Sequence, residues 1–105
     1  MGNLRMTTPR VLALRAFMED PERERYGLDL ATEAGLEPGT IYPILVAFEN
    51  AGWLRSREED EVDPHLEGRP RRRYYRLTPD GLSAAHAALA KTRTRRVDPN
   101  RKLAW

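Results

Sequence analysis

Two groups of side chains carry most of the chemistry available to this sequence. The first is Gly39-Thr40-Ile41-Tyr42-Pro43, which sets a hydroxyl and a phenol two residues apart at the head of an apolar-periodic segment. Thr40 can hydrogen-bond a phosphate or a base edge, and Tyr42 can bond a phosphate while its ring packs on a sugar. The second is Arg69, Arg71, Arg72 and Arg73, four guanidiniums within five residues. Arginine grips phosphate bidentately and fits a narrow minor groove. Neither group is a catalytic set. The sequence shows no nucleophile–base pair, carboxylate dyad or glycine-rich phosphate loop, which argues against an enzyme. It has no cysteine, which excludes disulfides and thiolate zinc sites. Its two histidines, His65 and His86, lie too far apart for a local metal pair, so neither a metal nor a cofactor is expected.

The charge distribution points the same way. The net charge of +2 hides a split. Residues 1–68 hold seven arginines against fourteen acids, and residues 69–105 hold eleven basic residues against two acids. That asymmetry suggests a polyanion met by the later segment. Only Lys91 and Lys102 of the 18 basic residues are lysine. A GC-rich genome would also favour arginine codons, but it would not cluster them. The segment 58–67, EEDEVDPHLE, holds six acids among ten residues. It can fold back on the neighbouring arginines and limit non-specific binding, or be a plain solvated loop.

The elements that must position these groups follow from periodicity and punctuation. Thr8 is read as a cap with Pro9 at the first helical position, before a stripe of Val11, Leu14, Phe17 and Met18. Glu19-Asp20-Pro21 ends this helix, and PERER, residues 21–25, reads as a charged linker. A short helix from about residue 26 or 27 to 34 stops at Gly35. A third, from about 38 to 50, buries Ile41, Ile44, Leu45 and Phe48. Its other face, with Gly39, Thr40, Tyr42, Pro43, Val46 and Ala47, is poor in charge for a solvated helix. Segments 53–58 and 71–77 read as strands of one hairpin, with Arg73, Tyr75 and Leu77 on one face. Thr78-Pro79-Asp80 opens a last helix through Leu82, Ala85 and Leu89 to about residue 95. The predicted fold is mainly α with a small β-hairpin: a winged helix-turn-helix of order α-α-α-β-β-α. The expected parts are a flexible N-terminus (1–7), a winged helix-turn-helix domain (8–78), a dimerisation helix (79–95) and a basic flexible tail (96–105).

On that order of elements a family resemblance becomes specific. PGTIYPILVAFENAGWL, residues 38–54, resembles the recognition helix and first wing strand of the PadR family of transcriptional regulators. GRPRRRYYRLTPDG, residues 68–81, resembles the family's second wing strand and the start of its last helix, and Tyr26-Gly27-Leu28 its entry to helix two. The matches stand in family order and cover residues 8–92. The resemblance implies a dimeric bacterial repressor that binds a palindromic operator and is often released by a small effector. The implied partners are double-stranded DNA, a second copy of the chain and a small-molecule effector. Members commonly carry serine or threonine before the proline of the recognition helix, where this sequence has Glu37, which weakens that cap or shifts it to another residue. One helix and a tail follow the wing, as in the compact subgroup, which puts a large effector pocket in doubt.

The expected DNA contacts are Gly39, Thr40, Tyr42, Pro43 and Ala47 on the recognition helix, and Arg69, Arg71, Arg72 and Arg73 on the wing. Two competing readings stand beside them: Tyr42 as a lid on the core, and the wing arginines paired with nearby acids. Arg69 and Arg71 are the leading wing contacts, and Arg73 is the one expected to pair with an acid. Val11, Leu14, Leu82, Ala85 and Leu89 are the expected dimer surface. A winged-helix module that binds protein instead of an operator is the alternative function, motivated by the acidic first 68 residues. No apolar run is long enough to span a membrane, and the expected location is the bacterial cytoplasm, at the nucleoid.

Overall fold

The structure is a computed structural model that describes residues 4–60 and 71–97, with side chains as far as Lys91. His65, Arg69, the acids Glu61, Asp63 and Glu67 and the tail from residue 98 lie outside the described residues. Among the described residues, four helices and three strands follow in chain order: α1 (Thr8–Met18), β1 (Arg25–Tyr26), α2 (Gly27–Ala34), α3 (Pro38–Asn50), β2 (Leu54–Glu58), β3 (Arg73–Leu77) and α4 (Pro79–Val97).

Local sequence explains most of the boundaries. The α1 cap is Thr7, one residue earlier than expected; its side chain accepts the Arg10 amide at 3.4 Å. Residues 4–7, read as loose, lay Leu4 and Met6 against the core, and Arg10 Nη1 donates to the Arg5 carbonyl at 2.7 Å. Helix α2 stops because Gly35 turns left-handed at φ 73°, a conformation a Cβ disfavours. Leu36 then donates back to the Ala31 carbonyl at 2.9 Å. Helix α4 is capped by Thr78, whose hydroxyl accepts the Gly81 amide at 3.0 Å and donates to the Gly52 carbonyl at 2.7 Å. Its first turn lies so close to the backbone that enters β2 that a Cβ on Gly81 would sit 2.0 Å from the Trp53 carbonyl oxygen.

Leu14, Phe17, Leu30, Ile41, Leu45 and Phe48 are fully buried where α1, α2 and α3 meet. Each contributes roughly 1.5–3 kcal/mol of transfer free energy relative to exposure. The sheet covers one side with Trp53, Leu54, Tyr75 and Leu77, and α4 adds Ala85. The Phe48 and Trp53 rings lie 5.3 Å apart, which ties the end of α3 to the start of the hairpin. Leu14 and Ala85, expected at a dimer surface, are both fully buried inside the single chain, and Val11 is nearly so. None of the three has appreciable area left for a partner. Leu82 and Leu89 are half-buried.

The sheet differs from the expected two-stranded hairpin. Its order is β1-β3-β2, all antiparallel, with Arg25 opposite Tyr75 and Tyr26 opposite Tyr74. A two-residue strand has no readable period, and its partner is distant in sequence. The supposed linker residue Arg25 is buried. Its two terminal nitrogens donate to the Ala16 carbonyl at 3.1 and 2.7 Å, and Nη1 meets Glu33 Oε1 at 2.6 Å. One guanidinium thus joins the end of α1, helix α2 and the sheet. Cations are favoured at a helix C-terminus because the last carbonyls carry partial negative charge.

Candidate nucleic-acid interface

Helix α3 presents its uncharged face outward. The stripe of Ile41, Ile44, Leu45 and Phe48 points into the core. Gly39, Thr40, Tyr42, Pro43 and Val46 are exposed on the other side, and Ala47 is half-buried. Tyr42 does two things at once. It is 41% exposed, yet its ring lies over Gly27, where an added Cβ would come within 2.5 Å of ring carbon Cε1. A residue with a side chain at position 27 would have to displace the ring. Gly27 therefore sets where the phenol points.

The start of α3 is open. Glu37 is in the cap position with extended backbone, and its side chain makes no capping hydrogen bond. Pro38 and Pro43 both lack an N–H, so Pro43 cannot donate to the Gly39 carbonyl one turn back. Pro38, Gly39 and Thr40 are all exposed at this end.

The hairpin splits its arginines between two faces. Arg72 is half-buried on the far side: its guanidinium lies 4.2 Å over the Tyr26 ring, and its backbone exchanges hydrogen bonds with Glu59. Arg57 also lies on that side, bidentate to Glu24 at 2.8 and 2.7 Å and 5.2 Å over the Tyr74 ring. Hydrogen bonding from Arg57 holds the Glu24 carboxyl below the usual carboxylate range. Tyr26 and Tyr74 meet edge to face. Arg73 shares its strand face with Tyr75 and Leu77, the residues packed into the core. Burial pushes the Tyr75 phenol up from its ordinary value, with Arg73 pulling the other way.

Arg71 and Arg73 are exposed and flank Glu58, each at 3.6 Å. Such loose, solvent-exposed pairs are worth at most about 1 kcal/mol, so a phosphate can compete for both cations. Arg73 is also linked to α3. Its Nη1 donates to Ser56 Oγ at 3.0 Å, and the Ser56 hydroxyl donates to Glu49 Oε2 at 2.7 Å. This relay and the Phe48–Trp53 contact fix the wing against α3.

Of the expected recognition-helix residues, all five lie on one open face or its edge. Of the wing set, Arg71 and Arg73 come together, Arg72 is held away on Tyr26, and Arg69 lies outside the described residues. Sequence reasoning missed Arg25, the Glu24–Arg57 clamp and the Glu49–Ser56–Arg73 relay. Each joins residues from separate elements and leaves no local pattern. Among the described residues, no helix is long and apolar enough to cross a membrane.

Three helices, a short turn before the third and a wing packed against it define the winged helix-turn-helix class of DNA-binding proteins. The family model of the transcriptional regulator PadR-like family matches residues 19–87, well over half the chain. The chain therefore belongs to the PadR-like family of transcriptional regulators: it is a DNA-binding regulator, not an enzyme. A PadR family regulator from Clostridium difficile R20291 is 22% identical with a TM-score of 0.74, over 92% of this chain and 99% of that one. One from Eggerthella lenta is 23% identical with a TM-score of 0.65, over 90% of this chain and 80% of that one. A PadR-like transcription factor from Bacteroides fragilis is 22% identical with a TM-score of 0.63, over 90% of both chains. At these identities the likeness concerns the fold. Comparison with curated protein sequences finds no match.

Proposed function

We propose that this chain is a homodimeric repressor that binds a palindromic operator, with α3 in the major groove and the hairpin on the flanking backbone. The observation that carries the reading is the open, uncharged face of Gly39, Thr40, Tyr42, Pro43 and Ala47, held beside the exposed Arg71 and Arg73. A major groove is about 12 Å wide and admits one helix, and the helix N-terminus commonly supplies the contacts. Thr40 and Tyr42 serve as phosphate and base contacts, and the two arginines neutralise phosphates. Arg72 takes no part because its guanidinium lies over the Tyr26 ring.

Dimerisation uses α4 with α1, through the half-buried Leu82, Leu89 and Leu12 instead of the buried Leu14 and Ala85. The two copies of α3 then meet half-sites about 34 Å apart, one helical turn of DNA. The test is selection of duplex DNA from random sequence, followed by anisotropy titrations at several salt concentrations and sedimentation of the complex. The expected result is an inverted repeat bound by two chains, with steep salt dependence. Selection of no common sequence at low salt would remove the operator reading. A complex of one chain per site would remove the dimer.

A further inference from the structure

The core residues of α3 define the opposite ridge of the helix. That ridge is Gly39, Pro43, Val46 and Asn50, spaced by four, three and four residues, all exposed. Val46 is 55% exposed, more than Leu28 or Tyr42. Tyr42 stands one turn before it on the same helix, and Leu28 follows the glycine on which the Tyr42 ring lies. The centre of the outward face is therefore apolar.

What α3 lacks is as informative. Its sequence, PGTIYPILVAFEN, contains no arginine, lysine or glutamine. The bidentate reading of guanine by arginine or lysine is not available to it. Glu49, which could accept from cytosine, is hydrogen-bonded to Ser56. Asn50 closes the helix about 6 Å beyond Val46, away from the N-terminal end that enters a groove most deeply. In the major groove, the feature that an apolar side chain distinguishes is the C5 methyl of thymine.

We infer that this regulator reads its site through thymine methyl groups, with Val46 as the specificity-determining side chain and Tyr42 and Pro43 beside it. The inference rests on the operator reading above and names what that reading recognises. The occupant of the apolar ridge is the methyl-bearing edge of A·T pairs, brought to it by the phosphates that Arg71 and Arg73 hold.

The test uses the full chain and the duplex it selects from random sequence. Each thymine of one half-site is replaced in turn by deoxyuridine, which keeps base pairing and removes only the methyl. Loss of a methyl from contact should weaken binding about fourfold. One or two positions per half-site should show this, and the rest should not. With Val46→Ala, the penalty should disappear at the position Val46 contacts and persist elsewhere. Val46 is exposed, so this variant keeps the core intact, and the deoxyuridine series needs no variant at all. Equal binding of every deoxyuridine duplex would overturn methyl reading while leaving operator binding in place. A penalty unchanged by Val46→Ala would overturn the role of Val46. If no duplex is selected, the operator reading itself fails and this inference falls with it.

Discussion

Removal of the Arg25 guanidinium tests how the parts of this small domain are held together. The side chain is buried, with two hydrogen bonds to the Ala16 carbonyl and an ion pair to Glu33. Arg25→Ala deletes two buried methylenes, worth about 1.6 kcal/mol at ~0.8 each. It also deletes the charge-assisted hydrogen bonds, whose net contribution is about 1.5 kcal/mol. The Ala16 carbonyl keeps the Glu19 amide at 3.3 Å, and Glu33 is 36% exposed and returns to water, which holds the loss near the low end for a broken pair. The sum is about 3 kcal/mol, or roughly 12–24 °C in Tm. Arg25→Met keeps the apolar stem and removes a buried charge whose Nε has no hydrogen-bond partner among the described residues. Relief of that cost offsets much of the lost bonding, and the expected loss is about 1 kcal/mol. Urea unfolding followed by circular dichroism, at one fixed protein concentration, measures both. Equal losses for the two variants would refute the division between stem and charge. A loss below about 1 kcal/mol for Arg25→Ala would refute the tie itself.

Three further outcomes follow from the geometry of the site. Gly27→Ala pushes the Tyr42 ring, the end of a movable side chain; stability should change by less than about 1 kcal/mol while operator affinity in anisotropy titrations falls several-fold. Gly39→Ala meets no atom within 4 Å in the free protein, so the helix should gain about 1 kcal/mol in urea unfolding. The same methyl would stand between helix and groove, and operator binding should weaken; unchanged affinity would show that position 39 stays clear of DNA. Glu24 has its titration depressed by the Arg57 hydrogen bond, so its contribution is present above the usual carboxylate range and is lost as pH falls through the lowered value. The stability difference between the native chain and Glu24→Gln should therefore shrink toward zero on acidification; a constant difference would refute the assignment.

The wing and α3 act as one body because three ties cross between them. The Phe48–Trp53 ring contact is apolar, the Glu49–Ser56–Arg73 relay is polar, and Tyr75 and Leu77 carry the strand into the common core. Arg71 and Arg73 are thus presented at a fixed offset from Thr40 and Tyr42. Preorganisation of this kind reduces the ordering cost of binding two grooves or two strands at once.

Composition, periodicity and end signals by themselves determined the order of the four helices and the β2–β3 hairpin but not β1, together with the inward stripe of α3, the stop at Gly35 and the cap at Thr78. These are local: each depends on side-chain spacing along one segment, or on the backbone freedom of one residue. The charge-poor outer face of α3 was legible for the same reason. Only the tertiary structure decided which arginine does what. Arg25 looked like linker charge and is a buried tie, Arg72 stacks on Tyr26, and Arg71 and Arg73 remain exposed. Leu14 and Ala85 carried the same apolar signal as a dimer surface, yet the single chain consumes them. An apolar residue marks burial without naming the surface that buries it, and a charge marks an attraction without naming its partner. Both answers come from segments far apart in sequence, and folding alone brings those segments together.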